Sequence, residues 1–549
     1  MRDSVRTAAK PRAPWALLAV LAALVFVAWV RLRLADVPLE RDEGEYAYAG
    51  RLILEGIPPY ELAYNMKFPG TYYAFALILA LFGKTPWGIH FGLMLVNAAT
   101  VLLVFAVGRR LLGDFSGAVA AVSYAILSVD RWVLGVFAHA THFVVLAVMA
   151  GLLLLLRAID DRRTSSYLWS GLFLGMAVLM KQHAIFFLPG GALLVVWSGN
   201  RGGVRAIRAS AKRVGMMALG AVIPFAAAVF VLAAQGVLGR FWFWTIRYAS
   251  AYVTEVPPAM AWSNFSEGIK YVTTANLAFW VLGALGLAAL WIRRWAPRAN
   301  VALTGLLAAS ILAICPGFYF RSHYFILVLP AIALSCGAAL GFVRHALEAI
   351  VPRGGAVALA GGVLIAAIGL YVTHERDYLF SMSPRRLSRT TYDKLPFIEA
   401  EEIGKYLRDR TDANDRIAVL GSEPEIYFYA DRKSATGYIY TYPLVEPQPY
   451  AASMQDEMIR EIESAHPRYL VFSHVEGSWS MRRESDQRIV RWGHRYASAC
   501  YDPAGIVDIV SEDDTRILWG DEALNYKAAS PNLVFTFRRK SDAPCAVGK

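Results

Sequence analysis

RDEGEYAYAGRLILEGIPPYELAYNMKFPG, residues 41–70, sets Asp42, Glu43, Glu45 and Glu55 beside Arg41, Arg51 and Lys67 in a chain that is otherwise very apolar. Of its 549 residues 56% are hydrophobic and only 18% charged, too greasy for a soluble protein of that length, so the bilayer is its main solvent. A segment this charged, lying between apolar runs, belongs in a loop outside the hydrocarbon. If Asp42 to Leu54 is helical, Asp42, Glu45 and Tyr46 share a face, because residues three and four apart are neighbours. The first turn of such a helix also favours carboxylates through its dipole. The plainer alternative is an amphipathic surface helix with solvated charges.

Outward from this loop, apolar runs of spanning length fill the chain to about Tyr371. A span needs about 20 apolar residues, fewer in a thin or locally deformed bilayer, and eleven runs are candidates, three of them short (115–129, 167–180 and 184–198): 14–32, 89–108, 115–129, 133–156, 167–180, 184–198, 214–234, 275–292, 301–317, 325–343 and 355–372. The first follows Arg2, Arg6, Lys10 and Arg12 as a signal peptide core would, but it is longer, leads into Arg31 and Arg33, and is followed by many more spans. With a cytoplasmic amino terminus, the inner connections carry Arg109 and Arg110; Arg157, Arg162 and Arg163; Arg201, Arg205, Arg208, Lys212 and Arg213; Arg293, Arg294 and Arg298; and Arg344 and Arg353. Every inner connection is basic, as the positive-inside rule requires. The net charge of +12 is thereby used in orienting helices and calls for no nucleic acid. The count requires the apolar stretch 72–82 to lie at the interface or re-enter, and it leaves everything after 372 outside.

The organisation expected is therefore a polytopic α-helical membrane region, 1–372, with a large first outer loop at 33–88, followed by an extracytoplasmic α/β domain, 373–549. In the tail, RIAVL (416–420) and YLVF (469–472) read as buried strands, and helical patterns lie near 398–408 and 455–464. GSEPEIYFY (421–429) reads as a turn entering a short helix with Ser422 as its cap. Cys500 and Cys545 would be free to pair in an oxidising compartment. No Walker-type loop, G-x-G-x-x-G motif or internal repeat is found.

Several ionisable residues converge on the outer connections: Lys67, Lys181, and Arg321 with His323 in FYFRSHYF (318–325). Ionisable groups at membrane depth are costly and usually functional. A carboxylate there can take the proton of an attacking hydroxyl, and nearby cations can hold a phosphate leaving group. Singly, Lys181 and Arg321 could equally snorkel to the interface. His139 and His142 in AHATH (138–142) could complete a divalent-metal site with Asp42 or Glu45, or serve in helix packing. Trp242, Trp244 and Tyr248 look like an interfacial belt.

At this point RDEGEYAYAG, KFPG, GMAVLMKQHA (175–184) and RSHYFILVLPAIAL (321–334) together resemble the GT-C superfamily of membrane glycosyltransferases, in particular the dolichyl-phosphate-mannose-protein mannosyltransferase and aminoarabinose-transferase group. The resemblance covers roughly residues 14–372. It implies an inverting transferase that takes a sugar from a polyprenyl-phosphate donor and gives it to a lipid, glycan or protein acceptor on the outer face of the cytoplasmic membrane. It implies Asp42 and Glu43 as the catalytic carboxylate pair, led by Asp42, and a donor-phosphate role for Lys67, Arg321, His323 and Lys181. No nucleotide cofactor is needed on this reading. KFPG departs from the Lys-Pro-Pro of relatives, and Glu45 stands where one branch places an Arg. Two other classes fit a charged cavity in a membrane: a transporter or flippase of lipid-linked sugars, which would more commonly show repeats, and a non-catalytic scaffold working through its tail.

Overall fold

A computed structural model describes residues 14–161, 163–199, 203–293, 296–540 and 545. Arg2, Arg6, Lys10, Arg12, Arg162, Arg201 and Arg294 lie outside the described residues. All eleven apolar runs are carried by helices: α1 (Pro14–Arg33), then α4 (Pro86–Leu112), α5 (Asp114–Val129), α6 (Ala140–Asp161), α7 (Thr164–Met180), α8 (Phe187–Gly199), α9 (Gly203–Ala234), α13 (Leu277–Arg293), α14 (Pro297–Ile314), α15 (Leu329–Leu347) and α16 (Arg353–His374). Between the first two lie α2 (Arg41–Leu54) and α3 (Gly70–Phe82), and between α9 and α13 lie α10 (Leu238–Trp242), α11 (Ala249–Val253) and α12 (Ala261–Val272). The chain is a multi-pass membrane protein.

One expected span is short for a physical reason, and another starts later than expected. At 16 residues α5 is about 24 Å long, less than the hydrocarbon thickness. It needs no match to lipid, because every residue from Phe115 to Val129 is buried among neighbouring helices. The fourth run begins at Ala140 rather than 133: the preceding residues form a 3-10 turn, Arg131–Val133, with Leu134 in the left-handed region at φ 58°. The 72–82 stretch is the 13-residue α3, too short to span. α12 is bent by 111° from α13 and does not extend it.

The tail carries all six described strands: β1 (Arg416–Leu420), β2 (Lys433–Ser434), β3 (Tyr469–Ser473), β4 (Tyr501–Ile509), β5 (Thr515–Trp519) and β6 (Leu533–Arg539). They form one mixed sheet in the order β2-β1-β3-β6-β4-β5, with β1 parallel to β2 and β3 and the remaining pairs antiparallel. Helices α17 (Arg376–Phe380), α18 (Pro384–Tyr392) and α19 (Phe397–Arg408) lead into it. Cys500 and Cys545 are disulfide-bonded.

The first outer loop does not float above the membrane region. Leu39, Tyr46, Tyr48, Leu52 and Phe75 share one hydrophobic core with Ile417, Val419, Ile426 and Tyr427 of the tail. Gly44 lies so close to the tail that a Cβ there would sit 2.6 Å from the Glu425 backbone nitrogen. Arg51, 1% exposed, donates to Asp431 at 2.8 Å and to the Arg432 carbonyl at 2.8 Å. Tyr48 Oη accepts from Ser434 N–H at 2.8 Å. GSEPEIYFY is thus the seat on which α2 rests. Its helix, α20 (Glu425–Ala430), starts after Pro424 without a side-chain cap. Ser422 caps nothing. Its hydroxyl instead accepts from Thr441 N–H at 3.0 Å, because the turn is fixed to the adjoining 436–443 segment.

Candidate active site

The amino end of α2 is closed by a reciprocal cap: Glu40 accepts from Glu43 N–H at 3.0 Å and Glu43 from Glu40 N–H at 3.3 Å. The cap fixes the first turn and aims Asp42 away from the protein core. Asp42 looks into a cavity of about 790 Å³. Its walls come from both halves of the chain: Asp42, Lys67, His139, Lys181 and Arg321 from the first 372 residues, and Tyr392, Tyr440, Tyr442 and Glu446 from the tail.

Asp42 Oδ1 accepts from Lys67 Nζ at 2.8 Å and from Tyr440 Oη at 2.8 Å. The same ammonium reaches Glu45 at 2.6 Å. Burial would raise the Asp42 carboxyl, but Lys67, with His139 and His323 behind it, holds it well below the usual carboxylate range. Burial likewise works against the charge on Lys67, and Asp42 and Glu45 outweigh it, raising the ammonium well above its ordinary value. Glu45 is fully buried and takes further bonds from Tyr72 at 2.6 Å and Asn65 at 2.9 Å. It anchors Lys67 from behind and does not line the cavity.

Lys181 and Arg321 face the same space from the far wall. Lys181 sits at the end of α7 with Nζ 4.3 Å from the Tyr324 ring, and Arg321 lies over Tyr319 at 5.3 Å. Among the described residues neither forms an ion pair, whereas Lys67 forms two. Burial, against the pull of Asp42 and with the like charges of Lys67 and Arg321, lowers Lys181 to about 7.

His139 is 2% exposed, with Nδ1 3.7 Å from Asp42 Oδ2, and its ring stacks on His323 at 4.2 Å. Neither ring nitrogen of His139 has a hydrogen-bond partner among the described residues. Asp42, His139 and His323 each present one ligand atom within 4.8 Å of the others. Burial, then His139 and Lys181, holds His323 neutral, well below the usual histidine range. An ionised carboxylate, a neutral imidazole and an unsatisfied imidazole suit a divalent cation.

Glu43, His142 and Asp130 lie outside this wall. Glu43, 0% exposed, faces His90 Nε2 at 2.9 Å and accepts from Ala138 N–H. It ties α2 to α4 and to the loop that carries His139. His142 is buried one turn further along α6. Asp130 closes α5 by accepting from Trp132 N–H at 3.2 Å and from Asn276. The residues missing from the sequence reading are Glu40, Tyr392, Tyr440, Tyr442 and Glu446. Only the tyrosine-rich GYIYTYP (437–443) could have marked one group of them.

Residues 66–230 match the family model described as dolichyl-phosphate-mannose-protein mannosyltransferase. Among solved structures, ArnT from Cupriavidus metallidurans bound to undecaprenyl phosphate superposes with TM-score 0.57 at 16% identity, over 84% of this chain and 93% of that one. The archaeal oligosaccharyltransferase AglB from Archaeoglobus fulgidus, in complex with an inhibitory peptide and a dolichol-phosphate, gives 0.54 at 13% identity, over 93% and 75%. The Archaeoglobus fulgidus oligosaccharyltransferase complex with Zn and sulfate gives 0.51 at 14%, over 93% and 74%. No curated protein gave a significant match. At these identities the likeness establishes the fold alone, a bundle of membrane helices followed by a sheet domain.

Proposed function

We propose that the chain is an inverting glycosyltransferase that takes a sugar from a polyprenyl-phosphate donor and passes it to an acceptor hydroxyl. The observation that carries this reading is the pair Lys181 and Arg321, which face an ionised Asp42 across one cavity and have no ion-pair partner of their own among the described residues. Unpaired cations lining a cavity call for an anion, and a lipid phosphate supplies one. The structural neighbours ArnT and AglB were solved with undecaprenyl phosphate and with a dolichol-phosphate.

In the reaction the acceptor oxygen attacks the anomeric carbon, the bond from that carbon to the phosphate oxygen breaks, and the sugar is inverted. Asp42 orients the acceptor and takes its proton. Lys181 and Arg321 hold the phosphate and the charge it gains on leaving. Lys67 keeps Asp42 ionised and in place, a positioning role set by its two ion pairs. Glu43 positions α2. Asp42, His139 and His323 would hold a divalent metal, which when bound would supply Lewis-acid stabilisation of charge near the phosphate.

We further take the membrane to be the cytoplasmic membrane, with the amino terminus inside, the membrane region at 1–372 and the tail domain at 373–549 outside. The basic connections and the Cys500–Cys545 pair support that orientation, since disulfides persist in oxidising compartments.

The test compares glycolipid, glycan and glycoprotein profiles of cells carrying the wild type or Asp42→Asn at equal expression. Asp42→Asn should lower product by about 10²–10⁴-fold, the usual contribution of a general base. Unchanged products would remove the transferase reading.

A further inference from the structure

A second recess, of about 360 Å³, lies beside the cavity and is lined by Tyr392, Asp393, Lys394, Leu395, the 475–480 turn and Asn532. Every one of these residues belongs to the tail; none comes from a membrane helix. Tyr392 and Leu395 line both recesses, so the polar groove adjoins the cavity of Asp42 at these two side chains. The Tyr392 ring is held edge-on by Phe137 at 5.3 Å and Phe397 at 5.1 Å. Its hydroxyl is buried without a hydrogen-bond partner among the described residues. Burial, then the charges of Glu40, Glu43 and Asp42, push the hydroxyl well above the usual phenol range. Leu395 packs on Gly477, where a Cβ would lie 2.8 Å from its Cδ2. Gly477 also receives Arg41 Nη2 at 3.1 Å and Tyr442 Oη at 2.7 Å on its carbonyl, which ties this turn to the start of α2.

We propose that this groove is the entry and binding site of the acceptor, and that the acceptor is a hydrophilic glycan whose hydroxyl passes between Tyr392 and Leu395 to Asp42. The inference rests on the transferase reading above. The two recesses differ in chemistry. The main cavity has apolar wall residues from the membrane region, Ile185, Phe186, Ile246 and Val253, suited to the lipid of the donor. The groove offers Asp393, Lys394, Glu476, Ser480 and Asn532, hydrogen-bonding groups of both charges suited to a chain of hydroxyls. A lipid acceptor would find no apolar wall there beyond Leu395 and Val475. A peptide held by strand addition would need a free sheet edge. The strands next to the groove, β3 and β6, are interior to the sheet and paired on both sides, so the recognition falls to side chains.

The experiment uses the full chain in cells, with envelope material separated into lipid-extractable, protein and water-soluble glycan fractions. The wild type should place its sugar in the glycan fraction. Leu395→Trp should lower that product at least tenfold while the purified variant binds undecaprenyl phosphate as the wild type does. If Leu395→Trp fails to fold, Lys394→Cys decides, modified at the cell surface with a bulky membrane-impermeant maleimide, which should likewise stop new product. The proposal is overturned if the sugar appears in the lipid or protein fraction, or if the blocked groove leaves the glycan product unchanged. Loss of the transferase reading itself shows differently: Asp42→Asn then alters no fraction.

Discussion

If the proposed function holds, Lys181 is the residue on which donor binding and pH meet. Its ammonium is pulled down to about 7 by burial, partly offset by Asp42 and reinforced by Lys67 and Arg321. Below that pH it is charged and available to a phosphate; above it the neutral amine offers none of that attraction. kcat/KM for the donor, which follows groups of the free enzyme, should therefore fall above pH 7, approaching tenfold per unit. The fold responds with the opposite sign. Between 7 and the unfolded value of 10.5 the unfolded chain binds the proton and the folded one does not, so this residue makes stability rise with pH in that window. Lys181→Arg stays charged throughout and should remove the alkaline limb from a pH profile of donor use. A limb that survives in Lys181→Arg would assign it to another group. Lys67 behaves otherwise, because its two carboxylate partners hold its proton firmly.

At the scale of elements, α2 is the part that converts sequence into site. Asp42 and Glu43 are adjacent, yet the cap sends one into the cavity and buries the other against His90 and the Ala138 amide. Glu43→Ala should cost about 3–5 kcal/mol, the range for breaking a buried charged pair, and lose activity through a lowered Tm and disordered placement of His139. Asp42→Asn should lose activity with Tm nearly unchanged. Thermal unfolding of the two purified variants separates the roles; equal losses of Tm would refute the division. This contrast also shows what the sequence could reveal. Asp42, Glu45 and Lys67 lie in one loop, so the shared face of Asp42 and Glu45 was legible; the ion pairs were not, since the sequence suggests a donor-phosphate role for Lys67, which instead holds both carboxylates. The eleven apolar runs were legible too, since each is a local property. Glu43's partners lie on α4 and on the loop before α6, and Tyr440, Tyr442 and Glu446 reach the cavity only because the tail packs on α2. Nothing local encodes such contacts. The sequence offers His139 and His142 as a metal pair; the ligand atoms that converge in the structure are those of Asp42, His139 and His323, and His323, far away in sequence, stacks on His139.

At the scale of the whole molecule, the tail and the membrane region form one catalytic body, since the cavity takes walls from both and the first outer loop shares a core with the sheet. On the proposed topology the connections carrying Lys67, Lys181 and Arg321 share a side with the tail, and the connections between α4 and α5, α6 and α7, and α13 and α14 lie on the other. The proposal makes that second side cytoplasmic, since Arg109, Arg110, Arg163 and Arg298 are among its residues. Two exposed positions test this, Lys527 on the tail and Arg163 before α7. In a Cys315→Ser background, which removes the free thiol that is not buried, Lys527→Cys should react with a membrane-impermeant maleimide on intact cells. Arg163→Cys should react only after the membrane is opened. The reverse pattern would place the cavity in the cytoplasm, and labelling of both on intact cells would break the eleven-span count, because the two positions would then share a side.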